Sequence, residues 1–252
     1  MIKFPSDITY DDPTHIYRDK NGKQLISAST LVHKFVPEFD PTGEILIRSA
    51  LKKGMNPKTL KAEWDQTNKD SCLWGTKVHS AIEYYLETKK IKKDECKHIV
   101  KNFSKLKFKG ELYSEIMLYS LKDRLAGRVD LIEIFPDNTA AIHDIKTNKA
   151  IKKFDFYGNR MLDPFSNYFN YNFNHYSFQM SIYAYLLEEH GYWVKDLNII
   201  YIKPKTGDIE IMPVPFMGKD TLKMIQLAPS LAEELDNKEK LNFLQVDKIL
   251  NP

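Results

Sequence analysis

The chain has 252 residues, which is enough for one large domain that buries roughly 75% of its unfolded surface, so core size does not limit the fold. No apolar run approaches the roughly 20 residues of a membrane span, and the first residues lack the basic end and apolar run of a secretory signal. Both features favour an intracellular protein. Two cysteines, Cys72 and Cys96, are too few for a four-cysteine cluster or zinc site and predict ordinary thiols.

The first half of the chain is predicted to be mainly helical after an initial hairpin. The hairpin is favoured by Asn21-Gly22 between two short apolar runs. The predicted elements are a hairpin over His15–Arg18 and Gln24–Ser27, a short helix over Ser27–Phe35, a helix over Lys58–Leu86 that breaks near Asn68–Ser71, and a lysine-rich helical stretch to about Phe108. These elements make residues 1–110 a mainly helical N-terminal part.

A basic segment, residues 89–109, closes this part and carries nine lysines against two acidic residues, although the whole chain has a net charge of only +3. Such a block can meet a phosphate backbone. It can equally be the solvated face of a helix, and the sequence does not choose between the two.

The second half alternates apolar and polar residues with the period of strands. The predicted elements are strands over Tyr113–Ser120, Leu125–Ile134 and Ala140–Thr147, a long connection from Phe154 to Tyr176, a helix over Tyr176–Glu189, a hairpin over Leu197–Lys203 and Asp208–Pro213, and a final helix over Lys219–Asn237. We therefore expect one α/β domain over 1–252, with the sheet core at 111–215 and a C-terminal helix within 216–252.

Two aspartates are predicted to face each other across a hairpin of the sheet. The turn at residues 135–139 should make its flanking strands antiparallel neighbours. If Ile134 pairs with Ala140, Asp130 lies opposite Asp144, with Cβ atoms roughly 4.5–5.5 Å apart. Two carboxylates at that spacing repel each other unless a cation lies between them, and Mg²⁺ or Mn²⁺ suits oxygen ligands.

Lys146 is predicted to share the face of Asp144, because side chains two positions apart point the same way along a strand. Two carboxylates, a metal and a lysine are the groups that phosphodiester hydrolysis needs. The alternative is a cross-strand ion cluster at the surface. The apolar residues around the pair favour burial, and a buried carboxylate pair without a role is costly.

Gly75, His79 and Glu83 are spaced four apart and so lie along one stripe of a predicted helix. His79 can offer an imidazole nitrogen to a metal, Glu83 can orient it, and Gly75 removes bulk. A single helical histidine can also be simply packed or exposed.

These motifs together resemble the RecB-like branch of the PD-(D/E)xK nuclease superfamily, over about Ser27 to Ile202. The matching residues, in order, are Gly75-Thr76-x-x-His79-x-x-x-Glu83, Glu115, Ala126-Gly127-x-x-Asp130, Asp144-Ile145-Lys146-Thr147 and Gln179-x-x-x-Tyr183. The segment Ser27–Thr30 is similar to one in the mitochondrial genome maintenance exonuclease and related phage exonucleases. The resemblance implies a restriction-endonuclease-like α/β core, with a mixed central sheet flanked by helices.

The resemblance also implies roles for individual residues. His79, Asp130, Asp144 and the Ile145 carbonyl would bind one or two ions of Mg²⁺ or Mn²⁺, and Lys146 would be the catalytic lysine. Glu115 would hold the lysine or a second cation, unless it is an exposed strand carboxylate. The residues given supporting or DNA-binding roles are Gly75, Thr76, Glu83, Arg128, Gln179 and Tyr183. The spacing of the last two also fits ordinary helix packing.

Two departures from the family pattern narrow the comparison. The second acidic position is Asp144 where Glu is commoner, which moves the metal nearer the strand. Relatives with an iron–sulfur cluster use four cysteines, so two cysteines point to members without a cluster.

The function expected from this resemblance is a metal-dependent deoxyribonuclease, an exonuclease that acts on single-stranded DNA or DNA ends. It would work in phage or bacterial replication, recombination or repair, in the cytoplasm, with DNA and proteins of those processes as partners and with no membrane. The aromatic residues offered for base stacking are Tyr157, Phe165, Tyr168, Phe169 and Tyr171, and these residues can equally belong to the core. The alternatives are an endonuclease of the same fold and a DNA-binding module that hydrolyses nothing.

Overall fold

The computed structural model describes residues 7–12, 14–38, 40–154 and 158–250. The strands are β1 (Ile8–Asp11), β2 (Ile16–Asp19), β3 (Gln24–Ser27), β4 (Glu111–Ser120), β5 (Leu125–Ile134), β6 (Thr139–Lys146), β7 (Trp193–Ile202) and β8 (Ile209–Pro213). The helices are α1 (Ala28–His33), α2 (Glu44–Lys53), α3 (Pro57–Thr88), α4 (Lys97–Phe103), α5 (Asn172–Glu189), α6 (Gly218–Gln226) and α7 (Ala228–Leu250).

The described strands form one mixed sheet with an opening beside β5. The order is β1-β2-β3-β5-β6-β7-β8, and β4 pairs antiparallel with β5 at every residue except Glu115. One edge of a strand pairs with one neighbour at a time, so β3 and β6 share the other edge of β5. β3 pairs there with Leu125 and Ala126, and β6 pairs with residues 131–134. Residues 127–130 lie in the opening between them.

The hairpin of β5 and β6 has the register that the turn predicts. Ile134 pairs with Ala140, and the ladder continues to Leu131 opposite His143. It ends one pair short of Asp130 and Asp144. The two aspartates therefore lie where the strands part, at the opening of the sheet.

Helices cover both faces of the sheet, as the sequence predicts for this fold class. Ile132 and Ile142 point into a core that is completed by residues of α1, α5, α6 and α7. Leu131 and Ile145 point the opposite way, into a second core with α3 and α4. The alternation along each strand thus sets which residues meet which helices.

Two helical regions predicted in the first half of the chain differ from the structure. α3 runs without a break through Asn68–Ser71. The stretch is polar but contains neither Gly nor Pro, and its residues cost a helix at most about 0.7 kcal/mol each, so nothing in it breaks the helix. The Thr67 and Ser71 hydroxyls donate to the carbonyls of Glu63 and Thr67, each over 2.7 Å. Of the lysine-rich stretch to Phe108, only Lys97–Phe103 is helical. α3 ends before it at Lys89, which adopts the left-handed conformation (φ 58°).

The predicted final helix, within 216–252, is two helices. α6 ends at Gln226 and α7 begins at Ala228. Pro229 has no N–H, so it cannot donate the bond to Ile225 that a continuous helix would need.

The hairpins of β2 with β3 and of β7 with β8 are observed as predicted. The sequence did not indicate β1, which pairs with β2 and extends the sheet. No helix in the described ranges has the length and apolar character to span a bilayer.

Candidate active site

A cavity of about 470 Å³ lies at the opening of the sheet. Its lining brings together the predicted side chains Gly75, Thr76, His79, Glu83, Glu115, Arg128, Asp130, Asp144, Lys146, Gln179 and Tyr183. These residues come from α3, β4, β5, β6 and α5, so only the tertiary fold assembles them.

His79, Glu115 and Asp130 form a cluster that can hold a metal ion, with one ligand atom from each within 4.8 Å of the others. His79 Nδ1 lies 3.5 Å from Asp130 Oδ1 and 4.0 Å from Glu115 Oε1. Its Nε2 lies 3.1 Å from the Ile145 carbonyl oxygen. A proton on Nε2 would be donated to that carbonyl and would leave Nδ1 free to face the two carboxylates.

Asp130 is held in place by the neighbouring strand. The Ile145 N–H donates to Asp130 Oδ2 over 2.7 Å. This bond crosses the point where the β5–β6 ladder ends, and it leaves Oδ1 directed towards His79.

Asp144 and Lys146 form a buried pair beside this cluster. Lys146 Nζ lies 2.7 Å from Asp144 Oδ2 and 4.8 Å from the centre of the Tyr176 ring. Burial raises the pKa of Asp144, against the opposing effect of Lys146. Burial lowers the pKa of Lys146, but the charges of Asp144 and Asp130 outweigh it, so the pKa is raised and the lysine stays charged.

Glu115 adopts a conformation that is unusual inside a strand. Its φ is +53°, and the β4–β5 ladder, regular at Ser114 and Ile116, is interrupted there. Such left-handed non-glycine residues cluster at functional sites. Burial and the nearby Asp130 raise the pKa of Glu115 to about 7, while the Arg128 guanidinium, 2.8 Å away, opposes the rise.

Gln179 and Tyr183 support the floor of the cavity. The Gln179 amide donates to the Tyr183 hydroxyl over 2.8 Å along α5, a contact that their four-residue spacing allows. A Cβ at Gly127 would lie 2.4 Å from Tyr183 Cε1. Position 127 therefore requires glycine, because the Tyr183 ring lies too close to the backbone for a larger residue.

The chemistry of these side chains fits a divalent metal. The cluster offers one nitrogen and carboxylate oxygens, and carboxylates suit Mg²⁺ and Mn²⁺. Asp144 Oδ2 is buried and, apart from its ion pair with Lys146, has no hydrogen-bond partner in the described part of the chain. Like-charged groups this close are stabilised by a cation between them.

The structure groups the predicted ligands differently from the sequence. Glu115 completes the metal cluster, whereas Asp144 pairs with Lys146 and the Ile145 carbonyl lies against His79. The left-handed conformation that turns Glu115 inwards has no signal in the sequence.

Sequence reasoning missed three residues that bound the site. The Tyr10 ring lies under the Arg128 guanidinium, with 5.0 Å between the ring centre and Arg128 Cζ. Asp12 Oδ1 lies 3.3 Å from Arg128 Nη1. Tyr176 lies beneath Lys146. Only Tyr176 had a usable signal, since it precedes Gln179 by three positions on one helix.

The aromatic residues proposed for base stacking divide into two groups. Phe165 is 1% exposed, which contradicts base stacking for this residue and agrees with the core alternative. Tyr168 is half-buried and packs against the same core. Phe169 and Tyr171 stack on each other with ring centres 6.1 Å apart, and Phe169 is exposed. Tyr157 lies outside the described residues.

A mixed sheet that presents two aspartates and a lysine to a helical histidine defines the class of metal-dependent nucleases. Residues 30–250 match the model of the PD-(D/E)XK nuclease superfamily. The chain belongs to this superfamily, which uses divalent metals and whose substrate is DNA.

Solved structures of similar fold share little sequence with the chain. One is SSO0001, at 15% identity and a TM-score of 0.39, with 82% of this chain and 75% of that chain covered. Another is a protein from Eubacterium rectale named "putative exonuclease", at 15% identity and a TM-score of 0.40, with 85% and 82% covered. No curated protein matches the chain.

Proposed function

We propose that this protein is a metal-dependent DNA exonuclease that hydrolyses phosphodiester bonds of single-stranded DNA or of DNA ends. The observation that carries the proposal is the convergence of His79, Glu115 and Asp130 with the Asp144–Lys146 pair in one cavity. A site that only bound DNA would not need this combination.

In this proposal one group of residues binds the metal and Lys146 stabilises the reacting groups. His79, Glu115, Asp130 and Asp144 are the groups that would hold Mg²⁺ or Mn²⁺, which when bound polarises the phosphate and lowers the pKa of a water. Lys146 keeps its proton because of the adjacent carboxylates, so it offers a fixed positive charge to the attacking water and to the developing negative charge.

Arg128, Gln179 and Tyr183 act through other residues. Arg128 fixes Glu115 through the contact at 2.8 Å. Gln179 and Tyr183 hold the wall behind Gly127. These three are positioning residues in the proposal.

Finer aspects of the proposal come from the resemblance of the motifs. The protein would belong to the RecB-like branch, close to the mitochondrial and phage exonucleases, as one nuclease domain over 1–252. It would act in replication, recombination or repair of bacterial or phage DNA.

The test is cleavage of end-labelled DNA with Mg²⁺ or Mn²⁺. Asp144→Asn or Lys146→Ala should lower the rate by about 100-fold or more, because removal of one group that stabilises the transition state costs about that much. Asp137→Asn makes the same chemical change at the exposed turn of this hairpin and should leave the rate within about twofold. Full activity of both site variants would refute the mechanism.

The topology of the substrate separates the remaining alternatives. A linear strand should be degraded and a closed circular strand should survive. Equal cutting of both would indicate an endonuclease. Tight binding without cleavage in either metal would indicate a DNA-binding module.

A further inference from the structure

A second and larger cavity, which we call the lysine groove, opens directly onto the active site. Its volume is about 1370 Å³, above the roughly 300–1,000 Å³ of small-molecule pockets. It shares His79 and Lys146 with the catalytic cavity. Its walls are the middle of α3 (residues 67–74), the segment after β6 (residues 147–149) and the β7–β8 turn (residues 203–208).

The charge on these walls is mainly positive beyond Lys146. Lys149, Lys203 and Lys205 are exposed on the lining, and none of them forms an ion pair with another described residue. The groove lining holds four lysines against two acidic residues, Asp70 and Asp208, so its net charge is positive. Asp208 accepts from the Thr206 hydroxyl over 2.6 Å, and Asp70 accepts from the Gln66 amide over 2.8 Å. The three lysines remain available to an anion.

Two of these lysines lie on a turn that is held firmly. Lys203 N–H donates to the Asp208 carbonyl over 2.9 Å, and Gly207 N–H donates to the Lys203 carbonyl over 2.8 Å. The Asn102 amide of α4 donates to the Gly207 carbonyl over 3.0 Å. Gly207 has φ +69°, and a Cβ there would lie 2.6 Å from the His98 ring, so α4 packs closely on the turn.

The opposite side of the active site lacks the positive charge of the lysine groove and carries acidic residues. Beyond the metal cluster, the smaller cavity is lined by Asp12 and Glu83. Its arginine, Arg128, is already paired with Glu115 and Asp12. A chain of phosphates would be repelled on that side and attracted on the side of the lysine groove.

We propose that the polynucleotide strand lies in the lysine groove, where Lys149, Lys203 and Lys205 contact successive phosphates and lead the reacting phosphate to Lys146. The substrate thus extends from one side of the site, and the smaller acidic cavity accepts only the strand end. This inference rests on the proposed function, because it assigns the path of the same substrate.

The first experiment measures binding separately from cleavage. A fluorescein-labelled single strand of 20 nucleotides is titrated with protein in Ca²⁺, and anisotropy gives Kd at several salt concentrations. The groove variant carries Lys149→Ser, Lys203→Ser and Lys205→Ser. The control carries Lys20→Ser, Lys23→Ser and Lys219→Ser, an equal loss of charge at exposed sites outside both cavities.

The groove variant should raise Kd by about tenfold or more and reduce the slope of log K against log salt by about 2, since each contact to a single strand contributes about 0.7. The control should stay within about twofold of the native protein. Mn²⁺ binding by calorimetry shows that the groove variant is still folded. Equal Kd and slope in the two variants would overturn the proposal.

A second experiment uses a thiol already present in the groove. Cys72 is exposed on the lining of the groove, whereas Cys96 is buried, so a maleimide reports on Cys72 alone. A saturating single strand should slow labelling of Cys72 by about fivefold or more, because the strand covers it. Unchanged labelling, at a DNA concentration where anisotropy shows full binding, would place the strand elsewhere.

The outcomes separate the two proposals. If the native protein binds the strand through the lysine groove but cleaves no DNA in Mg²⁺ or Mn²⁺, the proposed function fails and the strand path stands. If it cleaves DNA while the groove variant matches the control in every measurement, the strand path fails and the proposed function stands.

Discussion

Replacing Gly127 by alanine tests the packing that supports the active site. The added Cβ would lie 2.4 Å from Cε1 and 3.2 Å from Cδ1 of Tyr183. Carbon atoms in contact normally lie about 3.5–4.0 Å apart, so the ring would have to move by roughly 1 Å. The ring is buried and its hydroxyl accepts a bond from Gln179, so it has little freedom to do so.

The expected cost is that of an overpacked core, about 1–3 kcal/mol. For a chain of 252 residues, each kcal/mol shifts Tm by about 2–4 °C, so Gly127→Ala should lower Tm by about 2–12 °C. Urea unfolding and thermal scans measure the two quantities independently.

Gly75→Ala is the matched control, because it makes the same change in the same cavity. Its Cβ would lie 3.4 Å from Thr147 Oγ1, near ordinary contact, and Gly75 is inside α3. Alanine is favoured over glycine in a helix by about 0.8–1.0 kcal/mol, so this variant should be as stable as the native protein or slightly more stable.

The two substitutions should therefore differ in sign. A second change, Tyr183→Leu, removes the ring and should make Gly127→Ala harmless in that background. If Gly127→Ala is neutral in the native background, the close approach of the ring does not determine the glycine, and the reasoning fails.

Three further predictions concern buried charge. Burial and the charge of Asp130 together raise the pKa of Glu115 to about 7; Asp130→Asn removes that charge, so it should raise Tm without metal and abolish the rise in Tm that Mn²⁺ produces. His175 has its pKa lowered to about 4 by burial, so stability should fall as pH drops from about 6.5 to 4, at no more than about 1.4 kcal/mol per pH unit, and His175→Phe should flatten that fall in unfolding curves. Glu133→Leu should cost about 1–3 kcal/mol in urea unfolding, because it removes the acceptor that the half-buried Gly110 N–H meets at 2.7 Å.

Exposed residues of the same types provide the controls. Asp65→Asn and Glu111→Leu change surface groups and should each alter stability by less than about 0.5 kcal/mol. A metal response that survives Asp130→Asn would place the metal elsewhere. A pH dependence unaffected by His175→Phe would assign it to other groups. A Glu133→Leu variant as stable as Glu111→Leu would show that its hydrogen bonds contribute little.

Local patterns sufficed for the features that depend on neighbours in the chain. The short turn after Ile134 set the hairpin register, and a period of two put Lys146 beside Asp144 at 2.7 Å. The four-residue spacing placed Gln179 and Tyr183 on one face of a helix, where they form a hydrogen bond. In each case a fixed backbone geometry relates positions a few residues apart.

Breaks in helices were harder to predict than helices themselves. The polar stretch near Ser71 suggested an interruption, yet α3 continues through it, because the stretch contains neither Gly nor Pro. The basic segment read as one long helix, but Lys89 ends α3 and only Lys97–Phe103 forms the next one. The polarity of a segment therefore does not show where a helix begins or ends.

By itself, the sequence determined the sheet hairpin, the face of its two aspartates and lysine, and the family resemblance. Only the tertiary structure decided that Glu115 joins the metal cluster and that the β7–β8 turn meets α3 to form the lysine groove. The contact between His79 and the Ile145 carbonyl joins residues 66 positions apart. Such contacts follow from how the sheet opens and how helices pack on it, and no local period of the chain encodes them.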